Sequence, residues 1–238
     1  MGVTTGGARP EALGVVVAPL ERLTMAQRAA GSIRDQIRGG GLPPGHAVPE
    51  AATAAALGVS RNTVREAFRL LGAEGLVVHN IHRGVVVKQL GDADVRDIYA
   101  VRRIVELGAL RPPPVVADDD VQRLERAVSD AEDAVRRADW RVVSTLNLQF
   151  HQTLVGLRGS PRLDDLFARV LAELRLAFAT VEDQAEFLSP YVIENRRLCA
   201  SLVARRWSEA AIDLEAYLAR SEQTVLEAVR AAAAAGAG

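Results

Sequence analysis

An amide and an imidazole stand four residues apart in the segment "NLQFHQTL", at Asn147 and His151. Residues at positions i and i+4 share one face of an α-helix, so the two side chains can reach a common ligand. Metal centres, catalytic pairs and polar pockets for organic molecules all use this spacing. The residues that other elements bring to the same face decide which of these three kinds of site is present.

A catalytic pair finds no support in the rest of the sequence. A hydrolase needs a nucleophile, a base and an orienting acid in one cleft. The single cysteine, Cys199, lies in no such motif, and neither a serine-centred glycine turn nor a paired carboxylate motif occurs. The sequence therefore predicts a protein that is not an enzyme. The alternative interpretation of His151 is a core histidine whose ring is hydrogen-bonded to a neighbouring residue.

The composition is that of a globular protein with a substantial core. The 238 residues are 49% hydrophobic and 25% charged, and one cysteine excludes a disulfide within the chain. We find neither a signal peptide nor an apolar run long enough to cross a bilayer. We therefore expect a cytoplasmic protein with no membrane partner.

The net charge of −1 conceals an asymmetry along the chain. Residues 1–90 contain ten Arg and Lys against six Asp and Glu, a balance of +4, which leaves −5 for the remainder. A basic front part joined to an acidic back part indicates that the front part contacts a polyanion.

The front part begins with three predicted helices. Apolar residues recur at helical spacing after Thr24, a good N-cap, until the turn "GGGLPPG" at 39–45. A short alanine-rich helix breaks at Gly58, and another helix starts after the capping residue Ser60. Two short helices that meet at a glycine-containing turn are typical of a helix-turn-helix.

A β-hairpin follows these helices. Runs of β-branched residues at 76–78 and 85–87 flank a polar tip. The order of helix, helix-turn-helix and hairpin predicts a winged helix-turn-helix, an α+β domain that we assign to residues 21–90. Residues 1–20, rich in Gly, Ala and Val, are predicted to form a flexible N-terminal arm.

Every segment after Gly91 has the pattern of a helix, which predicts an all-α helical bundle over residues 91–233. Proline removes a backbone donor, so "RPPP" must end the first of these helices. The last residues, 234–238, are of low complexity and are predicted to be a disordered tail. The predicted helices span about 92–111, 118–138, 139–158, 161–183, 187–206 and 208–233.

The start of the second helix of a helix-turn-helix enters the major groove of DNA. Arg61 and Arg65 lie one turn apart there and share a face, so both can reach bases or phosphates. The other candidate contacts are short polar residues at the same helix start and cationic residues at the hairpin tip. The set predicted from the residues is Ser60, Arg61, Asn62, Thr63, Arg65, His82 and Arg83. The alternative interpretation is that Arg61 and Arg65 are ordinary solvated arginines on an exposed helix face.

Residues 24–88 resemble the DNA-binding domain of GntR-family bacterial transcription regulators. The resemblance rests on "LPPG", "LGVSR", "VREA", "EGLV" and the wing "RG". It implies a homodimeric repressor or activator that binds a palindromic operator in double-stranded DNA, and repression is the expected mode of the two. By position, Arg61 and Arg65 would contact bases or phosphates, Thr63 would contact the backbone, and Gly84 would let the wing approach the groove.

The sequence departs from the family pattern at two places in this domain. Many relatives have an arginine where this chain has Ala51, and the usual Thr-Pro before "VRE" is Asn62-Thr63 here. These departures bear on which operator is recognised.

The back part resembles the FCD-type ligand-binding domain of the FadR-like branch of that family, through "VRRIVELGAL" and "FHQTLVGLRGSPRL". Many members hold a divalent metal on an Asp, a His four residues later, and two further His. Those positions fall here at Asn147, His151, Asn195 and Tyr217. Only His151 keeps its ligand type, and one good ligand cannot hold zinc, so we expect no metal cofactor.

The remaining hypothesis is a metal-free polar pocket. The four side chains at these positions would offer amide, imidazole and phenol groups to an effector, and Arg102 would supply a cation for an acid group. By resemblance, the effector is an organic acid or an acyl thioester. Two functions follow: a ligand-responsive regulator, or a DNA-binding regulator whose C-terminal domain only dimerises.

Overall fold

A computed structural model describes residues 23–181 and 183–235. The predicted arm at 1–20 lies outside the described residues, as do residues 236–238 of the predicted tail. Residues 234 and 235, assigned to the tail from the sequence, continue the last helix instead. The chain folds as a winged helix-turn-helix followed by an all-α bundle, which confirms the predicted fold class.

Local signals in the sequence set the first three helices, α1 (Met25–Arg38), α2 (Glu50–Leu57) and α3 (Arg61–Ala73). The Thr24 hydroxyl accepts the Gln27 N–H at 3.1 Å, while the Gln27 side chain accepts the Thr24 N–H at 2.8 Å. This reciprocal pair satisfies two donors that the first turn of a helix leaves free.

A left-handed glycine, Gly58 with φ of 65°, ends α2 and turns the chain toward α3. The Ser60 hydroxyl then caps α3 by accepting the Thr63 N–H at 3.1 Å. The apolar face of α3, predicted from its spacing, is buried against α1. It consists of Val64, Ala67, Phe68 and Leu71.

The wing is an antiparallel hairpin of β1 (Val77–Asn80) and β2 (Gly84–Val87). Strand β1 begins one residue later and ends two residues later than the predicted 76–78, and β2 begins one residue earlier than the predicted 85–87. The Asn80 side chain causes this, because its Oδ1 accepts the N–H groups of His82 and Arg83 at 2.9 and 3.1 Å and closes the turn directly after β1. The tip is therefore residues 81–83.

Six helices build the bundle, and they form where the sequence predicts helices. The largest difference is at the end of the fourth segment, where the helix stops five residues early because a new helix begins at the Asp183 cap, which accepts the Glu186 N–H at 2.9 Å. The helices are α4 (Asp92–Leu110), α5 (Asp118–Arg136), α6 (Trp140–Gly156), α7 (Pro161–Phe178), α8 (Gln184–Val203) and α9 (Trp207–Ala235).

Helix α6 is the central element of the bundle and packs against α4, α5, α7 and α8, while α9 packs along α4. Its inner face carries large apolar residues such as Phe150 and Leu154, which are almost fully buried. Polar residues on that same face therefore point into the interior. This places Asn147 and His151, at 3% and 0% exposure, in the core.

The head contacts the bundle mainly through α7 and the start of α4. The Lys88 ammonium lies 2.9 Å from carboxylate oxygens of both Asp94 and Glu173. Glu173 also fills the space beside Gly75, where φ is 72° and a Cβ would collide with its carboxyl group. The two ion pairs and this close approach join head and bundle at a defined place.

Of the helices in the described ranges, none combines the length and the apolar character that a membrane span requires.

The core of the head depends on α3, and Leu71 is its best-buried large residue at 0% exposure. We expect Leu71→Ala to lower the free energy of unfolding by about 2–5 kcal/mol, because it removes buried methyl groups and leaves a cavity. Urea denaturation followed by circular dichroism measures the change. Ile81→Ala at the wing tip, where Ile81 is 96% exposed, is the control and should change stability little. Equal effects of the two substitutions would contradict this packing.

Candidate functional site

The start of α3 presents an exposed set of hydrogen-bonding groups. Arg61, Asn62 and Arg65 are exposed, while Val64 between them is fully buried and fixes the orientation of the helix. The hydroxyls of Ser60 and Thr63 lie 2.9 Å apart and are hydrogen-bonded to each other. Ser60 therefore serves first as the cap of α3, and the arginines and the amide are the groups free to reach a ligand.

The side chain of Arg65 is held by a neighbouring helix. Its Nε donates to Glu50 Oε2 at 2.9 Å, and Glu50 is the first residue of α2. Arg65 is still 58% exposed, so the outer edge of its guanidinium remains accessible. The Glu50 carboxylate holds the Nε side of the guanidinium and so orients the two Nη groups. These form the donor fork that matches a guanine or a phosphate. Glu50 is thus a positioning residue that the sequence did not single out.

The wing tip adds two exposed polar side chains, His82 and Arg83. Gly84 follows with φ of 70°, and no atom lies within 4 Å of the position where a Cβ would be. Glycine is needed there for its backbone conformation, because the space around it is open. His79 and Asn80, expected at the tip, lie on β1.

A second site lies in the core of the bundle, where the structure brings together all four residues at the family's ligand positions. The Asn147 amide oxygen accepts the Asn195 amide at 2.7 Å and the Tyr217 hydroxyl at 3.3 Å. The rings of His151 and Tyr217 are tilted with centroids 4.8 Å apart. Each of the four residues is at most 4% exposed. Helices α6, α8 and α9 thus meet in one buried polar cluster.

Glu106 on α4 belongs to this cluster and was not among the predicted residues. Its Oε2 lies 2.6 Å from His151 Nδ1, and its Oε1 accepts from Arg102 Nε at 2.7 Å. All three side chains are at most 2% exposed. Glu106 thus balances the charge of Arg102, and the role of Arg102 as the cation for an acid group of an effector stays a prediction.

Charge compensation decides the protonation states in the cluster. Burial acts to raise the pKa of Glu106, but the Arg102 charge and the contact with His151 hold that pKa below its ordinary value. Burial, helped by the Arg102 charge, lowers the pKa of His151 despite Glu106. We therefore assign an ionised Glu106 and Arg102 with a neutral His151 that donates Nδ1–H to Glu106.

Three polar atoms of the cluster are buried without a hydrogen-bond partner in the described residues: Arg102 Nη2, His151 Nε2 and Asn195 Oδ1. Leaving such an atom unpaired costs about 1–3 kcal/mol. Nη2 is a donor, while Nε2 of the neutral imidazole and the amide oxygen are acceptors. A molecule that offers one acceptor and two donors complements all three atoms.

The chemistry of these side chains does not suit a divalent metal. The Asn147 oxygen already accepts two hydrogen bonds, and burial raises the pKa of Tyr217 well above 10, so its phenol stays protonated. Nowhere in residues 23–181 or 183–235 do three His, Cys, Asp or Glu side chains gather in a way that could hold a metal. These side chains form hydrogen bonds to one another, and their donor set fits a divalent metal poorly.

Cys199 offers no nucleophile. It is buried, and burial raises the pKa of its thiol to about 11, so the thiolate is scarce at neutral pH.

Comparison with known proteins matches both parts of the chain. Residues 25–87 match the gntR family of bacterial regulatory proteins, and residues 97–220 match the FCD domain. The chain is 30% identical to the "Probable D-xylose utilization operon transcriptional repressor" of Paenarthrobacter nicotinovorans, over 73% of this chain and 79% of that protein. It is 26% identical to the Nta operon transcriptional regulator of Aminobacter aminovorans, over 79% and 89% of the two chains.

A solved structure supports the same relationship. A GntR transcriptional regulator from Rhodococcus sp. RHA1 superposes with a TM-score of 0.80 at 35% identity. The superposition covers 85% of this chain and 97% of that one. Head and bundle are therefore both shared with that protein.

A buried neutral histidine makes stability depend on pH. In the unfolded chain His151 binds a proton near pH 6.5, whereas in the folded chain burial lowers its pKa. The free energy of unfolding should therefore fall as the pH is lowered from 7 toward 5. The contribution is at most about 1.4 kcal/mol per pH unit. Urea titrations across this range measure the slope, which should be shallower in His151→Gln. Identical slopes in both proteins would show that His151 titrates as an exposed residue.

Proposed function

The chain belongs to the GntR family of DNA-binding transcriptional regulators with an FCD domain, and on that premise we propose that it binds a palindromic operator as a homodimer. A small organic effector bound in the helical bundle modulates this binding. Repression is the proposed mode, since one relative is named a repressor. The proposed place of action is the bacterial cytoplasm.

The exposed start of α3 carries the proposal for DNA recognition. Arg61 and Arg65 lie one turn apart, and the Glu50 carboxylate orients the second of them. Arginine forks match the O6 and N7 acceptors of guanine in the major groove, while Asn62 suits adenine. His82 and Arg83 on the wing add contacts to the backbone or the minor groove.

One head reads only a few base pairs, so a specific site requires two heads related by a twofold axis. The bundle offers apolar surface for pairing. Ile104, Ile193 and Ile212 are 76%, 57% and 64% exposed on α4, α8 and α9. These aliphatic side chains are available to an interface with a second copy.

The unpaired atoms of the buried cluster support the effector site. An organic acid or acyl thioester can accept from Arg102 Nη2 and donate to His151 Nε2 or Asn195 Oδ1 through a hydroxyl or amide group. Because Glu106 already neutralises Arg102, the ligand is selected by its hydrogen-bond pattern more than by its net charge. This refines the expectation that Arg102 supplies a cation for an acid group.

The mechanism is a population shift. An effector that fits one packing of α4, α6, α8 and α9 better than another stabilises that packing. Helix α7 packs on α6 and carries Glu173, which is ion-paired to Lys88 of the head. A change of bundle packing thereby changes the position of the heads, and couplings of about 1–3 kcal/mol are usual for such links.

A bundle that only dimerises is the second candidate. The side chains of the buried cluster are at most 4% exposed, so a ligand must open the bundle to enter. This closure favours a bundle that only dimerises.

DNA recognition is tested by Arg65→Ala on an operator selected from a random pool. We expect specific affinity to fall by about 1–3 kcal/mol because the oriented fork is lost, and the fold to persist. Fluorescence anisotropy at fixed salt gives the affinity. Arg136→Ala, which removes another exposed, ion-paired arginine from α5, is the matched control and should leave affinity unchanged. If both variants bind the operator like the wild type, recognition lies elsewhere.

Effector binding is tested by a thermal-shift screen of organic acids and acyl thioesters. A true ligand at one hundred times its Kd should stabilise the protein by about 2.7 kcal/mol. The shift should disappear in Asn195→Leu, which removes a buried amide, and persist in Ile193→Ala on the exposed face of the same helix. Silence across the screen would favour the domain that only dimerises, and equal shifts in both variants would place the ligand outside the buried cluster.

A further inference from the structure

Three arginines from separate helices meet where the head approaches the bundle. Arg38 is the last residue of α1 in the head, Arg141 lies in the first turn of α6, and Arg175 lies in the last turn of α7. Two adjoining cavities of about 560 and 200 Å³ are both lined by all three. The three guanidinium groups therefore face one shared space.

None of these arginines forms an ion pair with a carboxylate in the part of the chain that the structure describes. Arg175 donates to the Thr145 hydroxyl at 2.9 Å, which is a neutral partner. Asp35 is the one acidic residue among the described residues that line the two cavities. Three cations against one carboxylate leave this space positive.

The arrangement is electrostatically unfavourable for the protein alone. Burial, followed by the positive charges of Arg38 and Arg141, lowers the pKa of Arg175 to about 10. Unpaired charges that are held together at a cost to the charged form mark a functional site more often than a structural one. An anion placed among them would remove the repulsion.

We propose that this junction cleft, defined by Arg38, Arg141 and Arg175, binds a small phosphoryl-bearing anion. Planar guanidinium forks match phosphate oxygens in pairs, and three of them suit a group with two or more negative charges. Gln149 adds a neutral donor, and the wall formed by Leu148 and Leu171 suits the organic part of a phosphorylated molecule. The cleft is separate from the cluster around His151, so the protein has room for two ligands.

The anion would bridge the two domains. Arg38 belongs to the head, while Arg141 and Arg175 belong to the bundle, so one ligand contacts both. Glu173, two residues before Arg175 on α7, already joins the head through Lys88. The junction cleft thus lies beside the existing link and would stiffen it when occupied.

The test is calorimetric titration of the full chain with inorganic phosphate and with pyrophosphate, at constant ionic strength set with chloride. We expect saturable binding, tighter for pyrophosphate. Arg175→Gln and Arg38→Gln should each weaken it by about tenfold or more, because each removes a charged donor pair. Arg136→Gln, at an exposed site on α5, is the matched control and should bind like the wild type.

Thermal unfolding without added anion supplies a second readout. Arg175→Gln should melt at the same temperature as the wild type or higher, since it relieves repulsion, and it should gain less from pyrophosphate. Absence of saturable binding, or equal binding by all variants, would overturn the proposal. So would loss of DNA affinity in Arg38→Gln and Arg175→Gln without loss of pyrophosphate binding, because the arginines would then belong to the DNA-binding surface.

Discussion

Glu106 is a carboxylate with 0% exposure in the centre of a helical bundle, and compensation of its charge organises the polar interior around it. An isolated ionised carboxylate in an apolar core costs far more than the whole stability of a domain. Arg102 supplies the opposite charge from the same helix, and His151 supplies a donor from α6. The position of α4 against α6 is therefore fixed by hydrogen bonds as well as by packing.

The remaining polar groups follow from that constraint. The ring of His151 contacts Tyr217, and the hydroxyl of Tyr217 shares the Asn147 oxygen with Asn195, so α8 and α9 are tied to the same point. Replacing a buried ion pair with apolar residues is often neutral or stabilising. A bundle that retains one, together with unpaired donors and acceptors, is better suited to sensing a molecule than to maximal stability.

The head was predictable because its signals are local. A cap at Ser60, a left-handed Gly58 and alternating β-branched runs each determine structure within a few residues. The meeting of Asn147, His151, Asn195 and Tyr217 was inferred from family resemblance, and the structure brings them together. The role of Glu106 was not predictable, because an arginine and a glutamate at i and i+4 in "VRRIVEL" have the pattern of a solvent-exposed pair. Its burial depends on tertiary packing.

The junction cleft illustrates the same limit. Arg38, Arg141 and Arg175 lie on three helices far apart in sequence, and no spacing relates them. Only the docking of the head on α6 and α7 brings them together. The described residues thus form three polar sites of different character: the exposed start of α3, proposed to contact DNA, a closed neutral cluster within the bundle, and a positive cleft between the domains.

The proposed mechanism requires that a molecule bound in the bundle change the spacing of the two DNA-binding heads of the proposed homodimer. Spin labels on Ile81→Cys place one probe on each wing tip, because the native Cys199 is buried and its thiol pKa is raised to about 11. Electron–electron double resonance then measures the distance between tips in the homodimer, with and without an organic acid that stabilises the bundle. We expect a distance distribution that shifts or narrows when the acid binds. An unchanged distribution at saturating ligand would contradict it.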